Sequence, residues 1–166
     1  MESFIEEVLR EAIINKKNSF DFYLRAAETV PDTATKLLFK HLADEQVAQL
    51  YIFHTIYQGT EFGADLKSLM ELPVKTDHPP YHALMESADV TPPAHKALMI
   101  AMGEEMKCIY HYISLLTTTT NQRIKKIFIQ SLQDTRKHYE LIQGEYLRVI
   151  GIFAGTDQNR VALGSS

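Results

Sequence analysis

Four side chains that carry charge or can bind a metal lie on otherwise apolar helical stripes: Lys16, Glu45, Glu105 and His138. A charged group on such a stripe is costly to bury unless it is paired. Two carboxylates and an imidazole form a donor set for one divalent metal such as Fe, Mn or Zn, with a coordination position left for water. The same residues also have a metal-free reading. Two carboxylates balanced by the Lys16 ammonium and a protonated His138 sum to zero charge and make a salt-bridged polar core.

These positions recur along the chain. Ala12, Lys16, Tyr23, Glu45 and Ala48 return as Ala101, Glu105, Tyr112, Thr135 and His138, with intervals of 4, 7, 22 and 3 against 4, 7, 23 and 3. A repeat of this kind marks one supersecondary unit used twice, here a helix pair whose turn differs by one residue. Asp134 with His138, and His41 with Glu45, share the i, i+4 spacing of two groups on one helix face. Asp134 and His41 lie nearer the stripe edges, where an exposed or intrahelical hydrogen bond is a simpler role than a metal pair.

The elements that must position these residues are helical. Four long segments carry 3.6-residue apolar periodicity and none carries sustained strand alternation, which predicts an all-α fold. The first helix spans about 3–28, with Ile5, Leu9, Ala12, Lys16, Phe20, Tyr23 and Ala27 on its stripe, and Val30-Pro31-Asp32 stops it. The second spans about 33–57, with Leu38, His41 or Leu42, Glu45, Ala48, Ile52 and Thr55 inward. Residues 59–91 are proline-rich, with a helix-like stretch near 64–70, and form a long crossover between helices 2 and 3. Thr91 before Pro92-Pro93 opens a third helix of about 92–116, and Thr117 to Thr120 make the next turn. A fourth helix covers about 121–150, and 151–166 is a tail without a period. Together these predict a single domain, 1–166, built as a four-helix bundle with crossover topology.

Composition narrows the function classes. A net charge of -4 and a pI near 6.0 argue against nucleic acid as a partner, and Lys125 and Lys126 beside Arg123 read as a solvated helix face. No apolar run approaches the roughly eighteen residues of a membrane span. The acidic, amphipathic start MESFIEEVLREAI is unlike a secretory signal, so a cytoplasmic location is expected. One cysteine, Cys108, excludes an internal disulfide and a four-cysteine metal module, and its phase reads as a small core residue.

The Ala-x3-Glu-x6-Tyr spacing of Ala101, Glu105 and Tyr112, its counterpart in AIINKKNSFDFY, and His138 give the chain a resemblance to a known family. Over roughly residues 8–52 and 94–146 it resembles the rubrerythrin-like branch of the ferritin-like, di-iron carboxylate superfamily. The resemblance implies a ferritin-like four-helix bundle and a metal-dependent oxidoreductase that handles peroxide, oxygen or iron. Glu45 and Glu105 match family carboxylates and His138 the family histidine, whereas Lys16, Ala48 and Thr135 stand where further ligands are expected. The donor set therefore implies one divalent ion rather than a full di-iron centre. Without a Cys-x-x-Cys pair, no rubredoxin-type centre is implied. In an active enzyme Lys16, Tyr23 and Tyr112 would be the catalytic side chains, and a homodimer through an apolar helix face is expected. The alternative is a metal-free, non-enzymatic bundle whose Lys-Glu-His network is structural and whose surface binds a partner.

Overall fold

The computed structural model describes the backbone of residues 2–87 and 93–164 and the side chains of 3–87 and 94–151. Every regular element among these described residues is helical. They are α1 Glu2–Thr29, α2 Thr33–Ile56, α3 Leu66–Met70, α4 Pro79–Glu86, α5 Pro93–Thr118 and α6 Gln122–Gly164. The chain divides into two compact units, Met1–Ala88 and Asp89–Ser166. In the first, α1 packs along α2 and against α4, and in the second, α5 packs along α6. No helix among the described residues is long and apolar enough to cross a membrane.

The α1 stripe buries Leu9, Ala12, Ile13, Lys16, Tyr23, Ala26 and Ala27 at alternating three- and four-residue steps. Pro31 ends it, since proline lacks an N–H and pushes the preceding Val30 out of the helical region. Asp32 then caps α2, accepting from Thr35 N at 2.9 Å and from Thr35 Oγ1 at 3.0 Å. Asn121 does the same for α6, with Arg123 N at 3.0 Å and Ile124 N at 3.2 Å from its Oδ1. Each cap satisfies backbone donors that the first helical turn leaves unpaired.

Three features differ from expectation. The buried face of α2 is Thr35, Phe39, Leu42, Ala43, Gln46, Gln49, Leu50 and Phe53, about one residue round the helix from the predicted stripe. Ala48, Ile52 and Thr55 are exposed and Glu45 is only half-buried. Two phenylalanines bury more apolar area than Leu38 and Ile52, and that decides the rotation. Within the crossover, Pro79 and Pro80 open an additional helix, α4, which suits proline's fixed φ at a helix start. Lastly, α6 continues to Gly164 instead of stopping near Ile150. Gly151 and Gly155 each cost about 1 kcal/mol relative to alanine in a helix interior but, without a proline, do not end it. The predicted start at Thr91 lies outside the described residues.

The Asp32 cap gives a direct test. Asp32→Ala is expected to lower unfolding free energy by about 1 kcal/mol, read as a lower urea midpoint at unchanged slope. Asp32→Asn, which keeps the acceptor, should stay within a few tenths of a kcal/mol of the parent.

Candidate functional site

Each hairpin carries an aromatic pillar. Tyr23 stacks on Phe39 with ring centroids 6.0 Å apart and planes at 30°, and Tyr112 meets Phe128 at 6.0 Å and 39°. All four rings are buried. The members of each equivalent pair, Tyr23 with Tyr112 and Phe39 with Phe128, are 89 residues apart. The same offset relates Ala12 to Ala101, Lys16 to Glu105, Gln46 to Thr135 and Gln49 to His138, and every one of these side chains is buried. The one-residue difference in the predicted repeat therefore disappears. Glu45 and Ala48 flank the buried face of α2, and Gln46 and Gln49 occupy it.

In the second unit, α5 and α6 bring Glu105 and His138 together. His138 Nδ1 lies 3.9 Å from Glu105 Oε2, with side chains 3% and 4% exposed. That separation exceeds an N–H···O hydrogen bond and still permits charge pairing when the imidazole is protonated. Thr135, one turn before His138, donates its hydroxyl to Ser131 O at 2.7 Å. Its side chain thus satisfies the helix backbone and supplies no carboxylate. Asp134 accepts from Gln130 Nε2 at 3.0 Å on the helix surface, the intrahelical role anticipated for it.

In the first unit the equivalent positions hold no acid. Lys16 is 2% exposed where Glu105 stands in the repeat, and Gln46 and Gln49 are 0% and 5% exposed. Among the described residues neither glutamine amide has a hydrogen-bond partner, an expensive state for a buried polar group. Cys108, expected in the core, is half-buried. Among the described residues no cluster of three or more His, Cys, Asp or Glu side chains is arranged to hold a metal.

One buried ion pair was not anticipated. Lys17 Nζ lies 2.5 Å from Asp21 Oδ2, both side chains 7% exposed. The i, i+4 spacing of opposite charges was the available signal, but such pairs ordinarily mark a solvated face. Burial raises the Asp21 carboxyl above its ordinary value, against the lowering effect of the Lys17 hydrogen bond and charge.

Comparison with protein-family models, curated proteins and solved structures gives no match.

The Lys17–Asp21 pair predicts non-additive energetics. Asp21→Leu alone leaves a buried ammonium without its partner and is expected to cost about 3–5 kcal/mol. Lys17→Met/Asp21→Leu should recover most of that loss, as a double-mutant cycle in urea would measure. The raised Asp21 carboxyl also sets a sign. Its stabilising protonation is complete below the unfolded value of about 3.9 and is lost as pH rises through the higher folded value. A slope of this sign should be absent from the double variant.

Proposed function

We propose that the chain is a rubrerythrin-like, ferritin-fold protein. Its two hairpins would be the halves of a four-helix bundle, and its dinuclear centre would be reduced to a single divalent-ion site at Glu105 and His138. The observation that carries this reading is the buried Glu105–His138 pair at 3.9 Å, set in a frame that repeats at a constant offset of 89 residues. The donor chemistry does not fit a full di-iron centre. Two ions require about four carboxylates and two imidazoles, and Lys16, Gln46, Gln49 and Thr135 stand at four of the six repeat positions.

A single Fe, Mn or Zn ion fits better, since one carboxylate and one imidazole are ligands of matching hardness and water completes the shell. When bound, a redox-active ion would supply electron transfer to peroxide or oxygen, the oxidoreductase class implied by the resemblance. The remaining work belongs to the chain. Lys16 provides a buried positive charge, Tyr23 and Tyr112 provide phenols in otherwise apolar surroundings, and the aromatic pillars exclude water. The same proposal makes the protein cytoplasmic and homodimeric. Exposed Leu37 and Tyr51 on α2 and Leu147 on α6 support the dimer, which light scattering would test.

A metal-free reading has its own support. Lys16 and Glu105 carry opposite charges at equivalent positions, and neutral amides replace an acid and an imidazole, so the set balances without a cation. Metal content separates the two. Tag-free protein loaded with Fe, Mn or Zn is expected to hold about one ion per chain by plasma mass spectrometry, and Glu105→Gln or His138→Gln to lower occupancy by more than about tenfold. No metal above background in folded protein would establish the metal-free network instead.

The repeat also predicts a reconstruction. Lys16→Glu, Gln46→Glu, Gln49→His and Thr135→Glu together restore the family's ligand types, and the quadruple variant is expected to bind two ions per chain. The same set built with Glu45 and Ala48→His in place of positions 46 and 49 should not.

A further inference from the structure

The first unit contains a pocket of about 370 Å³ that is separate from the Glu105–His138 pair and uses none of its residues. One wall is α1, from Arg10 to Asn18, and the other is the connection after α2, from Glu61 to Lys75. Ile13, Phe62 and Leu69 are almost wholly buried, whereas Leu72 and Val74 are exposed. The pocket is thus apolar at depth and apolar again on its open side.

The connecting loop is shaped to build this wall. Gly63 has φ +84, the left-handed region, and a side chain there would meet Ser68 Cβ at 2.6 Å. Beyond it Asp65 caps α3, accepting from Ser68 N at 2.8 Å and Ser68 Oγ at 2.7 Å. That turn brings Phe62 and Leu69 to the same cavity, and Phe62 packs on Tyr57 with ring centroids 5.5 Å apart. Arg10 Nε donates to Glu61 Oε2 at 2.6 Å, tying α1 to the loop.

Charge selects the occupant. The wall carries three cations, Arg10, Lys17 and Lys75, against one carboxylate, Glu61. Asp21 and Glu7, which also pair with these cations, do not line it. Lys17 is 6% exposed, and among the described residues its ammonium makes one hydrogen bond, to Asp21. An ammonium has three donors, so Lys17 keeps two beyond Asp21, and an anion that reaches them along this mostly apolar wall gains a strong charge-assisted bond. With Arg10 held by Glu61 and Lys75 exposed on the loop, Lys17 is the one buried cation of the wall, which suits a monoanion better than a multiply charged phosphate.

We propose that this pocket binds a medium-chain aliphatic monocarboxylate, its carboxylate at Lys17 and its chain over Ile13, Phe62 and Leu69. The volume lies at the low end of the range for small-molecule sites and leaves room for an eight-carbon chain with its head group.

The test is calorimetric titration of the full chain with octanoate, 1-octanol and octylamine, three probes of one chain length and different head groups. Saturable octanoate binding, about tenfold tighter than octanol and tighter still than octylamine, is expected. Lys17→Met/Asp21→Leu should weaken octanoate about tenfold and leave octanol within about twofold. Lys75→Met, on an exposed loop where folding is not at stake, should weaken octanoate by about two- to threefold through loss of long-range attraction. Octanoate that fails to saturate by 10 mM, or that binds no better than octanol, overturns the proposal. So does octanoate affinity unchanged in Lys75→Met and in whichever Lys17 variant folds.

Discussion

Desolvation of polar groups on the buried helix faces is the constraint on which this molecule turns. Lys16, Gln46 and Gln49 in one hairpin, and Glu105, Thr135 and His138 in the other, are removed from water at equivalent positions. Ordinary apolar side chains there would be cheaper for stability. The aromatic pillars set the geometry of each polar layer, because Tyr23 and Tyr112 lie two helical turns, about 10.5 Å, beyond Lys16 and Glu105. The layers keep their depth because a ring from each helix of a hairpin meets its partner across the interface and holds it in register.

The repeat conserves shape while its chemistry diverges. Apolar members are retained or conservatively exchanged, as in Leu9 with Leu98, Phe39 with Phe128 and Phe53 with Ile142. The polar members differ in charge or in donor capacity at every position: ammonium against carboxylate, amide against hydroxyl, amide against imidazole. A packing frame tolerates this, since close packing constrains volume more tightly than polarity wherever partners exist. One hairpin therefore holds an acid–imidazole pair of the kind that binds cations. The other holds a cation and two amides, groups that repel a metal or ligate it weakly.

Much of this was legible in the residues. Proline and aspartate punctuation located the α1–α2 turn, because those residues act through local backbone chemistry. The burial of Lys16 and Tyr23 followed from the phase of the first helix, and that of Glu105, Tyr112 and His138 from the spacing of the repeat. The phase of α2 was not legible, since TATKLLFKHLADEQVAQLYIFHTI offers two apolar stripes one residue apart. The choice between them depends on Phe39 meeting Tyr23 of α1, a tertiary contact that local spacing does not contain. Glu45 attracted attention as a carboxylate, and Gln46 and Gln49 were overlooked because amides usually face solvent. The Lys17–Asp21 pair escaped for the same reason, as charges at i, i+4 normally decorate a wet surface.

The two units part where their second helices reach the end of the shared frame. In the first, α2 stops at Ile56, and Tyr57, Gly59 and the left-handed Gly63 turn the chain back along α1. In the second, Tyr146 and Arg148 stand at the corresponding positions, Arg148 pairs with Glu145 within the helix, and α6 runs on to Gly164. A side chain at Gly59 would meet the Tyr57 ring and displace it. The counterpart Arg148 lies within α6, which continues unbroken. A few residues of turn chemistry thus decide whether the hairpin acquires a folded-back wall, and only the unit with that wall has Lys17 lining a pocket. The polar layer and the pocket are accordingly independent consequences of one scaffold, the first from substitutions on buried faces and the second from how a helix ends.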